Sequence, residues 1–254
     1  MKTNKEWVKN KYKKKEIVRK YNKTRFTHFQ GRLNHLMEIK FINEALKEYN
    51  IKRILEIAPG TGRIAKELNV NQYIGIDSSE AMLKESKKIK KKGYKFIEGN
   101  AFNLPFFTNS IECIICFRLI KHFKLKERRK LYAEIKRVLK KDGILIIDAS
   151  NKERGILGGI HDFLLRIVFN IVRKDEIIYD KFYTKQELIG EMEANGFKVM
   201  NIDSVNPNYV FYSPVTRLNL KFLGKILLKK AIENNKKNRN SKKCYSWVVT
   251  ARKN

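Results

Sequence analysis

Apolar positions along the chain change period several times, and each change marks an element. Leu33, Leu36, Met37, Phe41, Ile42, Ala45, Leu46 and Tyr49 recur at helical spacing and predict an amphipathic helix over 32–49. Short β-branched and aromatic runs then predict strands at 54–57, 73–76, 94–98, 112–116 and 144–149. Between them, helical patterns lie near 62–68, 79–92 and 125–140. Lys141-Asp-Gly143 reads as the turn that stops the last of these, with Gly143 suited to the left-handed conformation. Strands alternating with helices in this way predict a parallel, doubly wound α/β sheet.

Beyond 149 the alternation breaks. Ile156, Ile160, Phe163, Leu164, Ile167, Val168 and Ile171 mark one face of a helix over 156–172, with Asp162, Arg166 and Asn170 opposite. Thr184-Lys-Gln-Glu187 has the form of a capping box and opens a helix that ends at Asn195-Gly196. A strand follows over 197–205. Ser213-Pro214 then opens a helix to about 232, with Leu218, Phe222, Leu223, Ile226, Leu227 and Ala231 facing away from Arg217, Lys221, Lys225, Lys229 and Lys230. A polar, basic loop spans 233–243, and 245–250 alternates as a final strand. No internal repeat is present. The division expected is a basic N-terminal arm and cap helix over 1–48, then one domain over 49–254 with insertions at 152–183 and 206–243.

Composition adds one strong feature. The chain of 254 residues has Lys+Arg 56 against Asp+Glu 26, a formal charge of +30. A lysine-rich proteome and attraction to phosphates, in RNA or at an anionic membrane surface, both produce such an excess, and charge alone leaves them open. The three cysteines suggest no disulfide framework. Cys113 and Cys116 fall in one strand, where their spacing sends them to opposite faces and makes them core residues rather than a redox or metal pair. The basic N-terminus lacks an apolar leader and no uncharged apolar run reaches 18 residues, so the expected compartment is the cytoplasm. The helix over 214–232 adds an expected peripheral contact with anionic membrane.

The chemistry concentrates after the first two strands. Gly60 and Gly62 permit a sharp strand-to-helix turn and let a ligand approach the backbone at the positive end of the next helix. Gly60-Thr-Gly62-Arg-Ile-Ala65 also satisfies the dinucleotide pattern, so the glycines fit either a nicotinamide cofactor or S-adenosylmethionine (SAM). Glu56 lies inside the first strand, where a dinucleotide fold wants apolar residues. A buried carboxylate needs a partner, and the ammonium of a methionine moiety suits it. Asp77, ending the second strand, can accept from both ribose hydroxyls. These two acids favour SAM.

On these residues the chain resembles the class I SAM-dependent methyltransferases, of the type that includes the quinone-biosynthesis methylases. The resemblance spans 21–205 and includes the final strand. It runs through Glu56-Ile-Ala58-Pro-Gly60-Thr-Gly62, where Ala58 replaces the family's first glycine, and Ile76-Asp77-Ser78-Ser-Glu-Ala-Met82. Asn100-Ala101-Phe102 stands where the family has an aspartate at the first position, and Leu104-Pro105-Phe106, Cys116-Phe117-Arg118-Leu119 and Ala194-Asn-Gly196-Phe197 follow in order. The resemblance implies a Rossmann-like sheet of seven strands with the last antiparallel. It also implies ribose binding by Asp77, Met82 beside the adenine, and Asn100 accepting from the adenine amino group.

Because SAM carries an activated methyl group, the protein's task is alignment for in-line displacement, with a general base needed only for an acceptor that must lose a proton. Phe117, Arg118 and His122 fall beyond the fourth strand, where such a base belongs, and His122 is the candidate. Asp148 and His161 rank behind it, and His28 and His35 belong to the N-terminal cap. The histidines show no metal-ligand spacing. The strand-four exit lacks the Asn/Asp-Pro-Pro-aromatic signature of adenine and glutamine N-methylases, and Cys116 lacks the context of RNA cytosine methylases. The remaining acceptor is a small molecule or lipid-like compound. The alternatives are an RNA methylase or RNA-binding protein using the charge, and a dinucleotide-dependent oxidoreductase.

Overall fold

The computed structural model describes residues 29–153, 180–206 and 238–254, together with Tyr12, Glu16, Val18, Tyr21, Lys230, Ile232 and Glu233. The helices expected over 156–172 and 214–232, with His28 and His161, lie outside the described residues, apart from Lys230 and Ile232 in the second helix. The elements in chain order are α1 (Phe29–Glu48), β1 (Arg53–Ile57), α2 (Arg63–Glu67), β2 (Gln72–Asp77), α3 (Glu80–Ser86) and β3 (Tyr94–Glu98). There follow β4 (Ile111–Cys116), a 3-10 turn (Ile120–His122), α4 (Leu125–Val138), β5 (Leu139–Asn151), β6 (Phe182–Tyr183), α5 (Lys185–Ala194), β7 (Phe197–Val205) and β8 (Ser246–Lys253).

Seven strands form the continuous order β3-β2-β1-β4-β5-β8-β7, and the two-residue β6 adds an eighth strand beside β5. Strands β1 to β5 pair in parallel, whereas β8 runs antiparallel to both β5 and β7. The order reverses direction between β1 and β4. In an open α/β sheet that reversal separates the connections above the strands' carboxyl ends and leaves a crevice there.

Strand periodicity divides the core between the two faces of the sheet. Leu55, Ile57, Ile114, Cys116, Leu145 and Ile147 pack in one cluster with Leu131 and Ile135 of α4 and Leu188 and Met192 of α5. Ile54, Cys113, Ile115, Ile144 and Ile146 pack in the other with Leu33, Met37 and Ile42 of α1 and Ile64 and Ala65 of α2. Cys113 and Cys116 therefore occupy opposite faces, and both thiols are fully buried. Covered on both faces, the central strands can be apolar almost throughout.

Local chemistry sets several boundaries. Thr184 caps α5 as expected: Glu187 N donates to Thr184 Oγ1 at 3.1 Å, and Thr184 N donates to Glu187 Oε2 at 3.0 Å. Helix α2 has only five residues, and Lys91 Nζ donates to the carbonyls of Lys66 and Leu68 at 2.6 and 2.7 Å beyond its end. A cation there satisfies carbonyls that lack helical partners. One expectation is corrected in the 141–143 turn, where the left-handed residue is Asp142, at φ 60, and not Gly143. Aspartate tolerates that region, and Gly143 is instead crowded, with an added Cβ falling 2.9 Å from Lys140 O.

A buried ion pair ties α4 to α5. Arg128 Nε and Nη2 donate to the two oxygens of Glu191 at 2.7 Å each, Tyr183 Oη donates to Glu191 Oε1 at 2.9 Å, and Arg128 Nη1 donates to Phe123 O. Removing one partner strands a buried charge. Arg128→Met is expected to lower unfolding free energy by about 3–5 kcal/mol in urea titrations, and Arg128→Met with Glu191→Leu by clearly less. Equal losses in the two would show that the pair carries no charge-burial penalty.

Candidate active site

The crevice at the reversal point is built first by the turn after β1. Ala58, Gly60 and Gly62 have φ of 58, 58 and 75, three left-handed residues within five positions. Ala58 N donates to Ile76 O at 2.8 Å, and Gly62 N donates to Pro59 O at 3.0 Å. Ala58 is therefore a strained position, since its Cβ costs about 1–2 kcal/mol there that glycine would not. The two glycines have different duties. A Cβ on Gly62 would lie 2.4 Å from Ile89 Cδ1, so that glycine allows close packing against the segment after α3. A Cβ on Gly60 would meet only Met82 Sδ, at 3.9 Å, and would enter the crevice itself.

Asp77 locks this turn to the end of β2. Its Oδ2 accepts from Gly60 N at 3.0 Å and its Oδ1 from Ser79 N at 2.9 Å. Burial pushes its carboxyl above the usual aspartate value, and the backbone donors at Ser79, Gly60 and Ser78 pull against that. Ser79 also caps α3, accepting from Met82 N at 3.2 Å.

Of the residues that the sequence assigns to the cofactor, Ala58, Gly60, Asp77, Ser78, Met82 and Phe117 line one cleft. Arg118, Leu119 and His122 extend the wall after β4. Glu56, Gly62, Asn100, Ala101 and Phe102 do not line it. Asn100 Oδ1 accepts from Phe102 N at 3.0 Å, within its own turn. Phe102 lies edge-on to Phe123 at 5.0 Å between ring centroids.

Glu56 is buried, and within the protein its carboxyl is met by Tyr73, whose hydroxyl donates to Glu56 Oε2. Strand register explains this: Glu56 pairs opposite Gly75, so residues of its face meet the tyrosine of the neighbouring strand. Burial outweighs that hydrogen bond and the nearby Arg63, and pushes the Glu56 carboxyl up to about 7.

Between this carboxylate and α1 lies a second charge cluster absent from the sequence expectations. Glu38 is buried on α1 and pairs with Arg63 Nη1 at 2.6 Å and Arg118 Nη2 at 3.1 Å. Burial acts to raise its carboxyl, but the two guanidiniums and His35 hold it below the usual glutamate value. Arg118, at φ 59, also donates its N–H to Asp148 Oδ1, and burial pushes Asp148 to about 6. His35 Nδ1 lies 2.6 Å from Arg63 Nη1, which places that histidine in this cluster on α1. On the far wall, His122 Nδ1 lies 2.9 Å from Asp180 Oδ1.

The fourth wall is not foreshadowed by any motif. Tyr12 and Tyr21 line the cleft, 5.9 Å apart in an edge-to-face contact, and Tyr12 O accepts from Ser79 Oγ at 2.7 Å. Both belong to the basic arm, whose composition read only as charge. Among the described residues, no group of three or more His, Cys, Asp or Glu is placed to hold a metal ion.

The Glu56 geometry has a pH consequence. Its carboxyl holds a proton in the folded chain between pH 4.5 and about 7 that it releases on unfolding, so its contribution to stability falls as pH rises through that window. Glu56→Gln removes this term while leaving Tyr73 an acceptor. Relative to that variant, the wild type is expected to lose on the order of 2–3 kcal/mol between pH 4.5 and 8 in urea unfolding. A pH-independent difference would place the ionisation elsewhere.

Comparison with known proteins accords with the site. A methyltransferase-domain family model matches residues 55–147. The chain is 32% identical over 178 residues to a demethylmenaquinone methyltransferase of Thermotoga maritima, covering 63% of this chain and 76% of that one. It is 30% identical over 174 residues to the ubiquinone/menaquinone biosynthesis C-methyltransferase UbiE of Campylobacter jejuni, covering 60% and 73%. A Thermotoga maritima SAM-dependent methyltransferase, described as a possible histamine N-methyltransferase, shares the fold at a TM-score of 0.64, with 21% identity and 94% and 98% coverage. The magnesium protoporphyrin IX methyltransferase of Synechocystis with bound SAM does so at 0.64, with 11% identity and 100% and 99% coverage. The cleft fits that cofactor, because an acid stands at the end of β2 and Gly60, with no Cβ to fill the crevice, faces it. The dinucleotide alternative is set aside by these relatives. The chain belongs to the methyltransferase-domain family of SAM-dependent methyltransferases.

Proposed function

We propose that this chain transfers a methyl group from SAM to a small aromatic acceptor of the quinone-precursor kind. The relative named for demethylmenaquinone, matched over three quarters of its length, carries this reading. The cleft supports it: Tyr12, Tyr21, Phe117 and Leu119 offer apolar and aromatic surface of the sort a flat ring requires. The RNA reading drawn from the net charge finds no support among these relatives.

In this reading Asp77 takes the ribose hydroxyls on the lone pairs its backbone donors leave over. Gly60 admits the ligand against the backbone, with Ala58 and Ser78 alongside, and Met82 and Phe117 flank the adenine. Glu56 acts from behind the turn, since Tyr73 already engages its carboxylate. Bound SAM supplies a methyl group activated on a sulfonium, so the protein's contribution is alignment and exclusion of water.

S-adenosylhomocysteine (SAH) at a hundred times its dissociation constant would add about 2.7 kcal/mol of stability. A rise in Tm of about 5–10 °C is then expected with SAH and none with NAD, and Asp77→Ala should abolish it. Labelled methyl from SAM should enter reduced demethylmenaquinone. Transfer confined to RNA would overturn the acceptor, and an unaltered SAH response in the Asp77 variant would overturn the ribose contact.

A further inference from the structure

His122 ends the 3-10 turn after β4, and it sits on the cleft wall with 7% of its surface exposed. The carboxylate 2.9 Å from its Nδ1 belongs to Asp180, 58 positions away in the sequence and two residues before β6. Two further contacts hold that carboxylate in place. Lys121 Nζ donates to Asp180 Oδ2 at 3.2 Å, and Lys181 N donates to Lys121 O at 2.7 Å. Strand β6 then pairs with the end of β5, Phe182 opposite Ser150. The backbone that follows the acid is thus docked at two successive residues, and one carboxylate oxygen accepts from the ammonium while the other lies 2.9 Å from the imidazole Nδ1 as a close charge contact.

We propose that Asp180 is a positioning residue for methyl transfer: it orients His122 through Nδ1, so that Nε2 acts as general base towards an acceptor that must lose a proton, a phenol or an enol. This rests on the methyltransferase reading above and narrows its acceptor.

A carboxylate against Nδ1 selects the tautomer protonated there and stabilises the imidazolium that forms when Nε2 takes a proton. Burial acts to raise the Asp180 carboxyl, yet His122 and Lys121 together hold it below the usual aspartate value, so it stays ionised at neutral pH. The other charged or titratable groups around the imidazole are Lys121 on its own turn, Arg118 on the same wall, Asp77 at the end of β2 across the cleft, and Tyr12 and Tyr21 of the N-terminal arm. Arg118 is already balanced by Glu38. Such a dyad is superfluous for a thioether or an aromatic amine that is neutral at pH 7, which attacks with a lone pair it already has. A phenolic hydroxyl is different: at a pKa of about 10 it is almost wholly protonated at neutral pH.

The step balances. Nε2 takes the hydroxyl proton, and the released electron pair, delivered through oxygen or the conjugated ring carbon, forms the bond to the methyl carbon. For attack through carbon, the neutral dienone then gives its ring proton to water and its oxygen takes one up from water, which restores the aromatic phenol. The carbon–sulfur bond breaks with its pair on sulfur, giving neutral SAH, and the positive charge passes to the imidazolium.

The test uses the full chain with SAH and nitrogen-15 NMR of the histidine ring, with His122→Gln assigning the signal among the four histidines. The wild type should show the Nδ1–H tautomer, and Asp180→Asn should lower the His122 pKa by about one unit. With reduced demethylmenaquinone as acceptor, Asp180→Asn should lower kcat by about 10²-fold, leave SAH affinity within twofold, and be partly rescued by Asp180→Glu. His122→Gln should lose as much, and the double variant no more. An Nε2–H tautomer in the wild type, an unmoved His122 pKa in Asp180→Asn, or a loss confined to SAH affinity would overturn the proposal. Binding of SAH with no turnover of the quinol would instead refute the acceptor reading, and the tautomer would then decide the dyad alone.

Discussion

The acceptance of two backbone N–H groups by Asp77, one from Gly60 and one from Ser79, is the constraint on which the site depends. It joins the turn after β1 to the end of β2, and so fixes two of the cleft's walls relative to each other. The turn is costly to form alone, because Ala58, Gly60 and Gly62 all take left-handed φ. Charge-assisted hydrogen bonds are about twice as strong as neutral ones, which suits them to hold a strained segment in one conformation. The carboxylate that secures the turn also lines the cleft, so one side chain both holds the turn and presents an acid to the crevice.

Around that centre, burial of charge is managed by pairing rather than avoidance. Glu38 is shared by Arg63 and Arg118, which brings α1, α2 and the loop after β4 to one point. Arg118 then reaches β5 through Asp148. Helix α1, which a reading by periodicity makes a simple cap, is thus wired into the cleft wall by a carboxylate on its buried face. A lone buried acid there would be strongly destabilising, and two guanidiniums offset the loss of water.

The sheet and its helices were legible because period 2 and period 3.6 each persist long enough to be read, and Asp77 because a strand ends on it. What escaped the sequence was set by partners distant along the chain. Glu56 needed a partner, and the nearest available donor was a tyrosine on the adjacent strand, visible only once the β1–β2 register was known. Asn100 accepts from Phe102 N within its own turn, a local contact that composition does not reveal. Asp180 meets His122 only through β6, two residues too short to announce themselves. Asp142 took the left-handed position assigned to its neighbour because its side chain tolerates that region.

Diffraction from crystals grown with SAH would test the central claim most directly. The ribose hydroxyls should lie within hydrogen-bonding distance of the Asp77 carboxylate, with the adenine between Met82 and Phe117 and the sulfur towards His122. Density for SAH away from the turn at 58–62, or with its ribose out of reach of Asp77, would contradict the account.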